Sequence, residues 1–267
     1  MKIHTDNFDL KQTALSGQCF RMIMQDHDTA RVIAKNRVLY IKDLGGCDLD
    51  LSCSKEEYNA VWKDYFDLDT DYGRFIDSVD RSDDFLTRAS RCGSGIRILR
   101  QDPFETLISF IISQRKSIPA IQTSIEKLSS LCGDRIEEDL FAFPTPFAIA
   151  SLSDKELADC SLGYRASYVR EAAERVASGE KDLEKMGELT DEELYDELIS
   201  FCGVGKKVAN CVMLFAYHRI ASFPVDVWIQ RIEDEHYGGR FPVERYQGFA
   251  GVLQQYMFYY VRTERGV

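Results

Sequence analysis

The sequence predicts an α+β fold that is mostly α, with a small N-terminal antiparallel sheet followed by a helical body. Two observations carry that class. Short β-prone runs, CFRMIM at 19–24 and ARVIAKNRVLYIKD at 30–43, fill the first part. From SKEEYNAVWKDYFDL at 54–68 onward the apolar spacing changes to the period of helices and stays there.

Within the β-prone part, Lys35-Asn36 has the chemistry of a two-residue turn that folds one strand back on the next. Further along, Phe104, Leu107, Ile108, Ile111 and Ile112 recur at i, i+3, i+4, i+7 and i+8, the stripe of a helix packed on a core. Asp102-Pro103 directly before that stripe is a start signal, with the proline in the first turn. Pro119, Pro144 and Pro146 mark further helix boundaries. Thr190, with Glu193 three residues on, forms a capping box that opens an amphipathic helix in TDEELYDELISF. The CGVG that follows breaks this helix, and KKVANCVMLFAYHRI restarts one. Neither an internal repeat nor a low-complexity linker interrupts the chain. The expected organisation is a β-containing domain over 1–98 and a helical domain over 99–235. The latter holds a helix-hairpin-helix at about 190–220, and residues 236–267 form a C-terminal helix that packs back towards the first domain.

Composition narrows the class. The 267 residues are 45% hydrophobic, enough for an ample core, and no apolar run approaches the ~20 residues that cross a bilayer. The N-terminal MKIHTDNFDL lacks the apolar centre of a signal peptide, so the expected location is the cytoplasm: with the nucleoid in a prokaryote, nuclear in a eukaryote. Eight cysteines include no C-x-x-C pair, and none follows Cys211, which excludes zinc ribbons and a cysteine-ligated cluster in the C-terminal tail. No metal and no organic cofactor is implied, and a monomer is the expected state.

The net charge of -11 argues at face value against a polyanionic partner. Its distribution changes that. Residues 41–90 carry 6 basic and 13 acidic side chains and residues 181–200 carry 2 and 8, a combined -13, so the remainder sums to +2. Phosphate can moreover be met by backbone N–H groups. In FCGVGKKVANC the glycines 203 and 205 can both take positive φ, and the helix behind them adds free N–H groups and the positive end of its dipole. A plain tight connection between helices is the alternative.

On that second helix Lys207, Cys211, Leu214 and His218 fall at i, i+4, i+7 and i+11, so Lys207 shares a face with apolar groups while Lys206 points elsewhere. An inward lysine at a helix N-terminus is expected to lose part of its preference for the charged form, and a neutral amine is a nucleophile. A lysine that snorkels to solvent is the bland alternative. Asp226 in FPVDVWIQRI has the setting of an N-cap, and the two side chains could act as nucleophile and electrostatic partner.

These residues resemble the helix-hairpin-helix DNA glycosylases, and among them the 8-oxoguanine DNA glycosylase/AP lyases. GVGKKVANC and FPVDVW match the hairpin and aspartate. LSGQCFR at 15–21, DYFDLDTDY at 64–72, QDPFETLISFIISQ at 101–114, LGYRASYV at 162–169 and FAGVLQQYMF at 249–258 match further segments in order. The resemblance implies that Lys207 attacks C1′ of a flipped nucleotide, expels the damaged base and forms a Schiff base that permits β-elimination. Asp226 would stabilise positive charge on the sugar. The partner implied is double-stranded DNA containing oxidised guanine, with no membrane involved.

By the same resemblance the base pocket comprises Gly17, whose carbonyl would meet N7–H of 8-oxoguanine, with Cys211, Gln254 and Phe258. DNA contacts would come from Gly203, Val204, Gly205, Gln114, Arg115 and Trp228, and from Tyr164 and Arg165 as a wedge beside the orphaned base. The chain departs from the pattern in four places. Gln114-Arg115-Lys116 replaces consecutive asparagines, and Ala120 stands near the usual arginine for the opposite cytosine. Trp228 replaces a histidine, and Cys202 replaces a hairpin proline. Two alternatives stand beside this reading: an alkylpurine glycosylase of the same fold, which needs no lysine at 207, and a non-catalytic DNA-binding protein built on the hairpin.

Overall fold

The computed structural model describes residues 1–264. The chain forms two compact units, one of residues 1–32, 39–100 and 218–267, the other of 33–38 and 101–217.

The first unit carries the sheet, whose strands are β1 (Lys2–His4), β2 (Met22–Met24), β3 (Thr29–Ala34), β4 (Arg37–Gly45) and β5 (Asp48–Leu51), in spatial order β1-β5-β4-β3-β2. Lys35 and Asn36, at φ 48° and 58°, make the left-handed turn that their types favour between β3 and β4. The edge strand β1 and the short β5 carry no alternating pattern long enough to be read in advance. They pair antiparallel, Lys2 opposite Asp50 and His4 opposite Asp48. The N-terminal ammonium secures this edge on the Asp50 carboxylate at 3.1 Å and on the Leu51 carbonyl.

In the same unit Trp62, Tyr65 and Phe66 form an aromatic cluster with ring centroids 5.0–6.0 Å apart, all essentially without solvent contact. One turn of π-helix over Tyr58–Trp62 brings Trp62 inward, a detail the period did not predict. Arg97 is buried in this unit because carbonyls answer its donors. It donates to those of Phe66, Asp6, Asp67 and Thr70, and its guanidinium lies 4.4 Å from the Tyr72 ring centroid. The last helix, Ala250–Glu264, packs on Asp84–Cys92 and on Val227–His236.

In the second unit the central helix Pro103–Ser113 starts where predicted, with the Asp102 side chain accepting from Glu105 N–H. All five stripe residues are buried, each side chain worth roughly 1.5–3 kcal/mol of apolar transfer. Around this helix lie Ile118–Cys132, Ala166–Ala177 and Lys206–Phe215. A small unforeseen ribbon pairs Arg135–Glu137 with Leu140–Phe141.

Candidate active site

The hairpin is built as its residues require. The Thr190–Glu193 capping box is present in both directions and opens the helix Asp191–Ile199. Gly203 takes φ +77°, and a Cβ there would fall 2.3 Å from the Tyr168 ring, so both torsion and space demand glycine. Gly205 differs from expectation. At φ -97° and ψ -179° it is extended, as an N-cap is, and a Cβ would meet nothing within 4 Å. The turn needs only one left-handed residue; the second glycine leaves the helix start bare. The N–H groups of Gly205, Lys206 and Lys207 have no acceptor among the described residues, while that of Val204 is satisfied by the Phe201 carbonyl. Val204 is also a buried side chain, so it offers a ligand neither side chain nor N–H. Cys202, which unlike a proline has an N–H, donates it to Glu171 Oε2 at 3.2 Å.

Behind the hairpin, Lys206 is exposed and Lys207 half-buried, its Nζ 4.7 Å from the Phe110 ring centroid. Phe110 itself stacks on Phe215 at 5.4 Å, so the amine rests on a rigid aromatic pair, as a cation over a π face does. Cys211, one turn on, is buried on the same face.

The wedge segment is tied to the hairpin through Gln114. Its Nε2 donates to the carbonyl of Gly203 at 3.1 Å, and its own carbonyl accepts from the Arg165 guanidinium, with Nε at 2.8 Å. Arg165, expected to contact a base, is instead buried, donating also to Leu162 O at 3.2 Å and lying over the Tyr164 ring. The carbonyls of Gln114, at the end of the central helix, and of Leu162 hold this guanidinium inside the protein, and Gln114 likewise serves as a strut. Lys116 donates to Ser124 Oγ and Ser161 O, both at 2.6 Å. With both neighbours anchored, Arg115 is held at φ +55°. Burial, together with the charges of Arg165 and Lys127, pulls the Lys116 pKa down. Tyr164 remains about half exposed, at 52%.

In the first unit Asp226 is the N-cap of Val227–His236. Its Oδ1 accepts from both Trp228 N–H and Ile229 N–H at 2.9 Å, while Oδ2 has no hydrogen-bond partner among the described residues. Trp228 lies beside Arg231, whose guanidinium is 5.5 Å from its ring centroid. Gly17 has φ +79°, turning the chain out of the helix Leu10–Leu15. Gln18 fixes that turn, donating to Ser16 Oγ and Arg97 O and accepting from Leu99 N–H.

Gln254, expected to address a base edge, is buried with both ends engaged. Its Nε2 donates to Pro224 O at 3.0 Å, and its Oε1 accepts from Gln255. Phe258, one turn on, is half-buried with the Arg262 guanidinium 5.3 Å from its ring centroid. The i, i+4, i+8 spacing from Gln254 was a signal that could have singled out Arg262. Tyr168 and Glu171, by contrast, gave none, because their partners are carried on a hairpin more than 30 residues away.

Comparison with known proteins divides the chain near residue 107. Residues 1–107 match the family described as the 8-oxoguanine DNA glycosylase N-terminal domain, and residues 108–240 match the HhH-GPD superfamily base excision DNA repair protein family. The crystal structure of Clostridium acetobutylicum 8-oxoguanine glycosylase/lyase, bound to duplex DNA with cytosine opposite 8-oxoguanine, is 36% identical. It superposes with a TM-score of 0.92 over 98% of this chain and 94% of that one. MBOgg1 in complex with a low-affinity DNA ligand is 38% identical, with a TM-score of 0.93 over 100% and 96%. A probable N-glycosylase/DNA lyase of Methanothermobacter thermautotrophicus is 27% identical across 98% of this chain and 96% of its own length.

Proposed function

The chain belongs to the HhH-GPD superfamily of base excision DNA repair proteins, in its 8-oxoguanine DNA glycosylase branch, and from that membership we propose that it excises 8-oxoguanine from duplex DNA and cleaves the strand. The observation that carries the catalytic half of this reading is Lys207: a half-buried amine at the first turn of the hairpin's second helix, seated on an aromatic pair. A DNA-binding hairpin without chemistry requires only its bare N–H groups, not a half-buried amine on an aromatic pair.

Duplex DNA is held first by its backbone. The bare N–H groups of Gly205, Lys206 and Lys207 at a helix N-terminus donate to a phosphate without needing a positive protein, which reconciles the partner with the net charge of -11. The exposed Tyr164 ring enters the stack as the target nucleotide leaves it. Unstacking costs a few kcal/mol, which the backbone contacts offset. Arg115, presented between two anchored neighbours, faces the opposite strand.

In the chemical step Lys207 Nζ bonds to C1′ as the N-glycosidic bond breaks, the base leaving with the electron pair. The Oδ2 of Asp226, unpartnered among the described residues, stabilises the positive charge that develops on the sugar. Opening of the ring gives a Schiff base. Loss of a C2′ proton then expels the 3′ phosphate and breaks the strand. Gly17 supplies its carbonyl to N7–H of the lesion, and Phe258 stacks on the base. Cys211 lines the pocket, and Gln254 reads the Watson–Crick edge once its amide exchanges Pro224 O for the base. The protein acts as a monomer and requires no cofactor.

Release of free base from matched duplexes carrying 8-oxoguanine, 3-methyladenine or guanine tests the reading. Release of 8-oxoguanine alone, accompanied by strand cleavage, is expected. Release of 3-methyladenine instead would assign the chain to alkylpurine repair, and binding without release would leave only a DNA-binding protein.

A further inference from the structure

Two parts of the first unit meet at one side chain. Arg262 lies on the last helix, one turn beyond Phe258 and two beyond Gln254, on a single face. Its Nη1 donates to the carbonyl of Leu15 at 3.2 Å, two residues before the left-handed Gly17. Its guanidinium covers one face of the Phe258 ring, 5.3 Å from the centroid. Burial pulls the pKa of Arg262 down.

The neighbouring helix start is held from the same face. Gln254 anchors Pro224, two residues before Asp226, and the Asp226 Oδ1 is fixed by the two cap N–H groups.

We infer that Arg262 is a positioning residue that braces the Phe258 ring against the turn carrying Gly17, so that the two groups proposed to recognise the lesion are held together. The inference rests on the proposed excision of 8-oxoguanine. A planar guanidinium suits this position because it stacks on a ring with its face while its edge donates to a carbonyl.

The role has a signature that loss of packing lacks. Once the base is gone, Gly17 and Phe258 have nothing left to hold, so cleavage at a preformed abasic site does not use the link. Arg262→Met, which preserves volume and removes charge and donors, is expected to slow single-turnover release of 8-oxoguanine at saturating enzyme by about tenfold or more. Arg262→Lys is expected to recover a substantial part of that loss, and both variants should cleave an abasic duplex within about threefold of wild type. A parallel fall in base release and abasic cleavage, or an Arg262→Lys protein no better than Arg262→Met, would overturn the inference and leave a packing role. Comparing the two variants keeps the result interpretable if one is unstable. Wild-type protein that releases no 8-oxoguanine would instead refute the proposed function.

Discussion

The Nζ of Lys207 stands 4.7 Å from the centre of the Phe110 ring, which is itself stacked on Phe215. A reactive amine on a long flexible stem gains a defined position from such a platform. Phe110→Leu keeps an apolar core residue but removes the π face. The rate of Lys207-dependent adduct formation on abasic DNA should drop about tenfold while the dissociation constant for that DNA changes little. An unchanged rate would make the platform irrelevant to the amine.

The two hairpin glycines should respond oppositely. Gly203→Ala forces a Cβ into the Tyr168 ring at a left-handed position and should lower unfolding free energy by about 2–4 kcal/mol. Gly205→Ala meets no protein atom and should leave stability within ~0.5 kcal/mol. It should nonetheless weaken binding to both damaged and undamaged duplex, because its methyl group covers the bare N–H groups. Denaturant unfolding and fluorescence anisotropy separate the two effects.

Gln114 joins the wedge to the hairpin, so its removal should reach further than one hydrogen bond. Gln114→Ala is expected to cost about 1–2 kcal/mol of stability and to weaken duplex binding roughly fivefold. Tyr164→Ala, at an exposed ring, should leave stability nearly unaltered yet slow excision about tenfold, since nothing then fills the emptied stack. Equal effects of Tyr164→Ala on stability and on excision would deny it the wedge role.

A buried carboxylate makes the first unit acid-sensitive. Burial alone would raise the pKa of Asp67, but hydrogen bonds and charge from His218 at 3.0 Å and from Arg100 at 2.8 Å bring it down to about 2, from 3.8. A depressed folded-state value means that this stabilisation is fully present above the unfolded pKa and is lost as pH falls from near 4 towards 2. Asp67→Asn should therefore lower unfolding free energy by roughly 2 kcal/mol above pH 5, with the gap to wild type closing towards pH 2. A gap that stays constant down to pH 2 would show that the charge is not what matters.

Legibility in the sequence followed the range of the interaction. Lys35-Asn36, Asp102-Pro103 and Thr190 with Glu193 act through torsions and hydrogen bonds a few residues away, and each does in the structure what its type predicts. The inward setting of Lys207 and the outward one of Lys206 likewise follow from spacing on one helix. Arg165, Gln114 and Gln254 do not follow in this way. Their polar ends meet carbonyls of Gln114, Gly203 and Pro224, brought near only by the fold, and no local pattern distinguishes an exposed guanidinium from a buried one. Gly205 shows the limit at its narrowest, because a glycine chosen for bareness and one chosen for torsion look the same in a sequence.

Borohydride trapping on a duplex with a single 8-oxoguanine tests the central claim most directly, with the adduct mapped by mass spectrometry. The expected result is a covalent adduct on Lys207, absent from Lys207→Gln, retained by Lys206→Gln and formed more slowly by Asp226→Asn. An adduct of undiminished yield in Lys207→Gln, or one mapped to any other residue, would contradict the assignment of the nucleophile.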